Sequence, residues 1–286
     1  MLSQMISHVI PKITIAICNK NMADTLWVSL VSVLDQINSD FEVLVIDDGS
    51  RDASREILLD LEKIYSNLRI KFLPEDSSRK LGETRNISIR ESFGEWIIFH
   101  IDTDDYIHPG IVQFSSEVIN LDSKCSRSVL YAGKQIHMAK REFLIEHGPF
   151  ANIYRGEDRN LYERLASESA LFFIEHPRFI SRMARKRTKL IKKRIIDEID
   201  QISNDIRKSL RMKIYLVSLK NQVERVGIKR LLIRTLIALF VYKSSLKKGP
   251  ISVFQKTAEY STFLDYRMAH THTFEDWAAI MKNQHY

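Results

Sequence analysis

The first 105 residues alternate short apolar runs with amphipathic stretches, which leaves few fold classes open. Four runs rich in β-branched and aromatic residues are typical of strands covered on both faces: ITIAIC (13–18), FEVLVID (41–47), RIKFLP (69–74) and EWIIFHID (95–102). Three stretches between them have apolar residues at helical spacing: ADTLWVSLVSVLDQ, SREILLDLEKIY and GETRNISIRESFG, the last ending at Gly94 as a C′ glycine. The pattern predicts βαβ units, and therefore an α/β fold with a mainly parallel sheet.

The pattern changes after residue 178. Up to there we expect further elements, namely helices at 110–121, 140–147 and 156–165 and strands at 129–137 and 170–177, after which no strand is predicted. Between residues 178 and 248 the chain is helix-forming and carries 21 Lys and Arg against 5 Asp and Glu, a balance of +16 within a total of +7. We predict a catalytic α/β domain over 1–178 and a helical basic region over 179–286, the latter facing an anionic surface.

Two cysteines, Cys18 and Cys125, provide no disulfide framework and predict reduced thiols in a cytoplasmic protein. The N-terminal sequence MLSQMISHVIPKITIAIC has no basic n-region and no small-residue cleavage site, so we do not expect a secretory signal. No apolar run approaches the roughly 20 residues that span a bilayer. We therefore expect a cytoplasmic protein, and a peripheral position on the inner face of the membrane stays open.

Polar clusters follow three of the predicted strands directly. They are CNKN (18–21), DDGS (47–50) and DTDD (102–105). In parallel α/β sheets ligands bind outside the carboxyl ends of the strands. The three clusters are therefore predicted to share one edge of the sheet.

The DTDD cluster has two interpretations. Mg²⁺ and Mn²⁺ prefer oxygen ligands, commonly one or two carboxylates together with substrate phosphates, and crowded aspartates supply them. Alternatively, the cluster is an acidic turn that caps the helix after Pro109. Taken alone, such a motif is more often the turn; its position after a buried-type strand favours the metal.

Three further residues carry similar alternatives. Asp48 can accept hydrogen bonds from a nucleobase or a ribose, or it can simply form the turn with Gly49 and Ser50. Arg85 can hold a diphosphate by a bidentate contact, or it is a surface arginine. Asp158 is a candidate general base, although an acidic residue in a first helical turn also stabilises the helix electrostatically.

The order and spacing of these motifs resemble one family. The string PKITIAICNKN…FEVLVIDDGSRD…GETRNISIRESFGEWIIFHIDTDDYIHP…KREFLIEHGPF…GEDRNLYERL is similar to family 2 glycosyltransferases of the GT-A fold, from about residue 11 to 165. The resemblance implies an inverting, nucleotide-sugar-dependent transferase with a UDP- or GDP-linked donor and a glycan or lipid-linked acceptor. Two departures are Lys20 in place of the usual Tyr and a short segment between Asp105 and Asp158.

The resemblance also implies roles for individual residues. The donor nucleotide is expected to contact Asn21, Asp48, Arg85 and Asp104, with Asp48 at the base and Asp104 at the ribose or diphosphate. Asp105 is the implied main ligand of Mn²⁺ or Mg²⁺, with Asp102 supporting it. Asp158 falls at the catalytic base, and either His176 or Arg182 lies near the diphosphate.

The C-terminal region leaves several interpretations open. Its stretch GIKRLLIRTLIALFVYKSSLKK (227–248) suits a membrane interface, but we favour slightly the packing of Leu231, Leu232, Leu236 and Leu239 on the catalytic domain. RMARKRTKLIKKR (182–194) has the charge for nucleic acid, yet no aromatic interleaving, so nucleic acid is not an expected partner. HTHTF, with His270 and His272, is predicted to be a surface loop rather than a metal site.

Two other functions remain as alternatives. A sugar-phosphate nucleotidyltransferase would share the nucleotide site, but CNKNMAD after the first strand lacks the glycines of its phosphate loop. An inactive GT-A scaffold that binds membranes or partners would not need the aspartates at 48, 104, 105 and 158.

Overall fold

The computed structural model describes residues 10–148, 150–153, 156–184, 196, 198–199, 202–203, 206–207, 228–247 and 260–284. The strands are β1 Ile13–Asn19, β2 Phe41–Asp47, β3 Leu68–Phe72, β4 Trp96–Asp102, β5 Asp105–Ile107, β6 Leu130–Ala132, β7 His137–Lys140, β8 Leu171–Ile174, β9 Ile180–Arg182 and β10 Thr271–His272. The helices are α1 Ala23–Leu34, α2 Ser54–Ile64, α3 Leu81–Glu91, α4 Ile111–Asp122, α5 Arg141–His147, α6 Glu157–Ser167, α7 Ile228–Lys247, α8 Tyr260–Ala269 and α9 Phe274–Gln284.

Eight strands form one sheet in the order β10-β8-β6-β7-β4-β1-β2-β3, and β5 pairs with β9 in a small second sheet. All neighbours in the large sheet are parallel except β7, which runs antiparallel to both β4 and β6. The predicted α/β class with a mainly parallel sheet is therefore confirmed. Because β1 lies between β2 and β4, the three polar clusters emerge side by side.

Helices cover both faces of the sheet. Leu26, Leu58 and Phe114 pack with Ile98 on one face, and Ile89 and Leu161 pack with Ile97 on the other. Alternate residues of β4 thus enter opposite cores, as the pleat requires. The continuous apolar runs in the sequence are explained by this burial on two sides.

Three predictions about elements are wrong. The segment 129–137 is not one strand, because it turns after Ala132 and returns as the antiparallel strand β7. Strands do occur after residue 177: the short strand β9 pairs with β5, and the short strand β10 pairs with β8. Gly94 is not a C′ glycine: α3 ends at Glu91, and a Cβ at Gly94 would lie 2.5 Å from the Thr14 backbone nitrogen, so the position requires a glycine for close packing.

The last helix packs on the sheet. Trp277 of α9 is fully buried, stacks on Phe172 with ring centroids 4.0 Å apart, and donates a hydrogen bond from Nε1 to the Phe173 carbonyl. Within HTHTF, Thr271 and His272 form the edge strand β10 where a loop was predicted, and the His270 ring stacks on Tyr266. Residues on both sides of the predicted boundary at 178 therefore share one sheet, while the division into two domains stays a prediction.

Candidate active site

Asn19 connects the three loops at the carboxyl edge of the sheet. Its Nδ2 donates to Asp47 Oδ2 at 2.7 Å, and its Oδ1 accepts a hydrogen bond from Thr103 Oγ1 at 3.1 Å. Asp47 in turn accepts bonds from the Ser50 backbone N–H and hydroxyl. The side chains of Asn19, Asp47 and Thr103 are buried, so the loops after β1, β2 and β4 are held together by a satisfied polar network.

Asp48 is placed at this edge with both carboxylate oxygens occupied. Lys20 Nζ lies 2.9 Å from Oδ2, and Arg79 Nε lies 2.5 Å from Oδ1. The next residue, Gly49, has φ +69 and approaches Glu75 so closely that a Cβ would lie 2.7 Å from its Cα. Lys20, which stands where the resembled family usually has Tyr, therefore extends the site as a cation beside Asp48.

Asn21 is hydrogen-bonded to the loop that follows β2. It has φ 54, its backbone N–H donates to Ser50 Oγ at 2.8 Å, and its Oδ1 accepts from the Arg51 backbone N–H at 2.7 Å. Asn tolerates this left-handed conformation better than most residues. Its side chain thus joins the first loop to the second, and contact with a nucleotide stays a prediction.

The DTDD turn surrounds one guanidinium. Arg182 of β9 places NH1 2.6 Å from Asp104 Oδ1, NH2 3.1 Å from Asp102 Oδ2 and Nε 3.0 Å from Asp105 Oδ1. Pairing of β5 with β9 sets this position, because Asp105 lies opposite Arg182 in the register. The repulsion among three carboxylates is thereby offset by one cation.

Arg182, rather than His176, is the residue after the last predicted strand that reaches the site. The His176 ring accepts a hydrogen bond from the Lys134 backbone N–H and contacts the Pro177 carbonyl, so it is engaged away from the aspartates. Burial and the Pro177 contact act oppositely on its pKa, and burial prevails to lower it. Of these two residues Arg182 is therefore the one that contacts the aspartates, and its place near a diphosphate stays a prediction.

The turn has the donor chemistry for a divalent cation. Asp105 is completely buried; its Oδ2 accepts a hydrogen bond from the Asp102 backbone N–H, whereas Oδ1 makes no hydrogen bond and only the ion-pair contact with Arg182. Burial raises the pKa of Asp105 against the lowering by that bond and by Arg182. Among the described residues no group of three His, Cys, Asp or Glu side chains is arranged to hold a metal. The carboxylates of Asp105 and Asp102 supply the one or two oxygen donors that suit a divalent cation bound mainly through phosphate oxygens.

Arg85 connects the DTDD turn with the start of α6. Its Nε lies 3.1 Å from Glu157 Oε1, and its NH2 lies 3.9 Å from Asp102 Oδ1. Both Arg85 and Glu157 are buried. Burial would lower the pKa of Arg85, but the charge of Glu157 and other acidic groups raises it, so this guanidinium is an internal cation and not the surface arginine considered from the sequence.

Asp158 lies in the first turn of α6 and is fixed through both oxygens. His100 Nε2 is 3.0 Å from Oδ2, and the Arg159 backbone N–H donates to Oδ1 at 2.7 Å. Burial raises the pKa of Asp158, but the hydrogen bond from His100 leads the interactions that lower it well below its ordinary value. Asp158 is therefore a carboxylate at neutral pH.

All the sequence-predicted site residues lie at this one edge, although their individual roles are not tested by the geometry. Sequence reasoning missed five partners that hold them: Asn19, Arg79, His100, Glu157 and Thr103. Asn19 and Thr103 lie inside the quoted motifs, so their position at a strand end was an available signal. His100 was signalled by a polar residue inside an apolar run, and Arg79 by nothing in the pattern.

The exposed face of α7 contradicts the packing that the sequence favoured. Leu232, Leu236 and Leu239 are 59–67% exposed and Phe240 is 89% exposed, while Ala238 and Ser245 on the opposite side are buried. Leu231, like most of the basic stretch 182–194, lies outside the residues whose side chains are described. Within the described chain, no helix combines the length and apolar character needed to cross a bilayer.

Comparison with known proteins identifies the fold that carries this site. The fold is that of GT-A glycosyltransferases: a mannosyltransferase of Pyrobaculum calidifontis in complex with GDP-Man and Mn²⁺ has a TM-score of 0.53 at 14% identity, over 95% of this chain and 84% of that one. S. aureus TarS (residues 1–349) in complex with UDP-GlcNAc has a TM-score of 0.52 at 13% identity, over 83% and 91%. At such identities the likeness concerns the fold alone.

Residues 14–114, about a third of the chain, match the profile of glycosyl transferase family 2, so this region is similar to that family. A putative teichuronic acid biosynthesis glycosyltransferase, TuaG of Bacillus subtilis (strain 168), is 30% identical over 95 residues. That match covers 33% of this chain and 36% of TuaG, so the chain spans about a third of the relative it matches. The predicted resemblance to this family and the predicted GT-A fold are thus confirmed.

Proposed function

We propose that the protein transfers a sugar from a nucleotide-diphosphate donor to an acceptor hydroxyl, with inversion at the anomeric carbon. The observation that carries the proposal is the presence of two separately held acidic groups at one edge of a family 2 sheet. One is the DTDD turn around Arg182, and the other is Asp158 beside His100. The first suits a diphosphate and the second suits an attacking hydroxyl.

In the proposed reaction Asp158 accepts the proton of the acceptor hydroxyl as its oxygen bonds to the anomeric carbon. The bond between that carbon and the diphosphate oxygen breaks, and its electron pair leaves with the nucleoside diphosphate. A carboxylate that is ionised at neutral pH and aimed by two hydrogen bonds is ready to act as this base. Single displacement by one base inverts the anomeric centre.

Arg182 and the DTDD turn would receive the diphosphate. Asp105 and Asp102 are the residues that would hold Mn²⁺ or Mg²⁺, with Asp104 beside the ribose or the diphosphate. When bound, such an ion neutralises the negative charge that grows on the leaving group. The complex of the mannosyltransferase with Mn²⁺ supports a divalent metal here, and the ion itself stays a prediction.

The base of the nucleotide would lie beside Asp48, with Lys20 and Arg79 as neighbouring donors. Related folds have been seen with both UDP-GlcNAc and GDP-Man, so both uracil and guanine are candidates. A screen of donor hydrolysis over UDP- and GDP-linked sugars, with and without Mn²⁺, tests the proposal without an acceptor. Metal-dependent release of one nucleotide is expected from the wild type and not from Asp105→Ala. No release of either nucleotide above the Asp105→Ala background would contradict it.

For the acceptor side we propose that α7 contacts an anionic membrane surface, where a lipid-linked acceptor would lie. Its exposed stripe of Leu232, Leu236, Leu239 and Phe240 has helical spacing and carries the exposed Lys243 at its C-terminal end. An apolar stripe with flanking cations is suited to lie in the interface plane. The proposal agrees with the basic balance of the surrounding sequence.

Sedimentation with vesicles of phosphatidylcholine and phosphatidylglycerol tests this contact. Phe240→Glu is expected to reduce the bound fraction several-fold, whereas Ile64→Glu, at a residue 61% exposed on α2, serves as the matched control. Binding that is unchanged in Phe240→Glu would contradict the membrane contact. Loss of a dimer instead, measured by light scattering, would assign the stripe to a second copy of the chain.

A further inference from the structure

Strand β4 contains one residue more than the stretch of β1 with which it pairs. Ile15 pairs with Ile98 and Ile17 pairs with Ile101, so two steps along β1 correspond to three along β4. The irregularity coincides with His100, whose φ of 72 lies in the left-handed region. This is a β-bulge, a feature that re-aims a side chain at the edge of a sheet and often lies beside an active site.

The packing of β4 shows that His100 is the additional residue. Trp96, Ile98 and Ile101 enter the core on one face, while Ile97 and Phe99 enter the core on the other. Removal of position 100 would leave this alternation intact, because Phe99 and Ile101 would then follow each other on opposite faces. The core therefore does not need His100.

The bulge directs His100 to Asp158. Its Nε2 is 3.0 Å from Asp158 Oδ2, and since the ionised carboxylate can only accept, the imidazole donates from Nε2. The ring is held against His137, with centroids 4.5 Å apart, and His137 packs in turn on Tyr162. His100 Nδ1 is buried and makes no hydrogen bond to the protein, so the ring is placed for the contact that its other nitrogen makes.

We propose that His100 is a positioning residue for Asp158. The inserted residue fixes the carboxylate from one side while the Arg159 backbone N–H fixes it from the other, and Asp158 is thereby aimed at the acceptor hydroxyl. His100 itself does not contact the substrate. The inference rests on the proposed function, in which Asp158 is the base.

Three variants separate positioning from a structural role of the bulge. His100→Asn keeps a residue that tolerates positive φ but is too short to reach Asp158, His100→Gln restores a long N–H donor, and His100→Gly keeps only the backbone. Initial rates of transfer give kcat and the donor KM, and thermal unfolding reports on the fold. Loss of the hydrogen-bond partner of a metal ligand typically lowers activity by about 10–100-fold, and we expect a similar loss when a general base loses its partner.

His100→Asn and His100→Gly are expected to lower kcat by about 10–100-fold with the donor KM unchanged, and His100→Gln to recover most of the loss. Wild-type kcat in both shortened variants would overturn the inference, and so would equal losses in all three variants with unchanged unfolding temperatures. If His100→Asn does not fold, the comparison of His100→Gly with His100→Gln decides.

Asp158→Asn distinguishes this inference from the proposed function. If Asp158→Asn transfers sugar at the wild-type rate, Asp158 is not the base and both proposals fail. If Asp158→Asn is inactive while His100→Asn and His100→Gly are both fully active, only the positioning role fails. The double variant is expected to be no slower than Asp158→Asn alone, because His100 acts through the carboxylate that has been removed.

Discussion

The DTDD turn holds the buried Asp105 and the first turn of α6 holds the half-buried Asp158, each paired with a cationic or donor side chain, yet the pKa values of the two carboxylates are shifted in opposite directions. At Asp105, burial outweighs Arg182 and the Asp102 N–H, so the pKa is raised. At Asp158, the His100 hydrogen bond and its other partners outweigh burial, so the pKa is lowered. The surroundings therefore shift the pKa values of two aspartates at the same edge of the sheet in opposite directions.

The difference matches the two roles proposed. A raised pKa at Asp105 means that the ionised form lacks full compensation, and a divalent cation would supply it. A lowered pKa at Asp158 means that the group is already ionised and aimed before an acceptor arrives. The comparison predicts that substitutions on the two sides will alter different steps.

The largest effect is expected for Asp158→Asn, which keeps the size of the side chain and removes its basicity. Transfer should fall by about 10²–10⁴-fold, the usual contribution of a general base, while donor binding stays near the wild-type value. Initial rates and nucleotide titration measure the two quantities. Glu168→Gln, just beyond the end of the same helix, is the matched control, and equal loss of donor binding in Asp158→Asn would erase the distinction between the two sides.

Glu157→Gln should disturb both sides together, since Glu157 anchors the arginine that connects them. In this variant Arg85 would stay buried, and of its two acidic ion-pair partners Asp102, 3.9 Å away, would remain. We expect the free energy of unfolding to fall by about 2–3 kcal/mol. Urea unfolding measures the change. The exposed pair of Glu83 with Arg90 gives the control, because Glu83→Gln should cost less than about 1 kcal/mol. Equal free energies of unfolding in the two variants would contradict a larger stabilising contribution from the Glu157–Arg85 ion pair.

The smallest effect is expected for Arg182→Gln. This substitution removes the charge that competes for Asp102, Asp104 and Asp105, so Mn²⁺ alone should bind about tenfold more tightly. The pKa of Asp105 should also rise further, because Arg182 lowers it. Water-proton relaxation measures the affinity for Mn²⁺, with the exposed Arg178→Gln as control. Weaker Mn²⁺ binding would show that Arg182 supports the ion instead of competing with it.

Much of the parallel half of the fold could be predicted from the sequence, because buried parallel strands leave continuous apolar runs. The runs at 13–18 and 41–47 correspond to β1 and β2 almost residue for residue. The later strands β9 and β10 span three and two residues, too few for any period to be visible. They form because a neighbouring strand offers an unpaired edge, which is a tertiary cause.

The candidate site was predictable in its acidic residues and not in their partners. Asp48 and Asp105 follow strong strands, so topology alone places them together. Arg182 reaches Asp105 only through the β5–β9 pairing, 77 positions along the chain, and His100 reaches Asp158 only because of a bulge. Contacts set by such local irregularities leave no repeat in the sequence.

The claim that the two acidic groups do different work is tested most directly by calorimetric titration of UDP and GDP, with and without Mn²⁺, into wild type, Asp105→Ala and Asp158→Asn. Wild type and Asp158→Asn should bind one nucleotide at least tenfold more tightly with Mn²⁺, and Asp105→Ala should lose that gain, worth about 1.4 kcal/mol or more. Metal-dependent binding retained in Asp105→Ala, or lost in Asp158→Asn, would contradict the division.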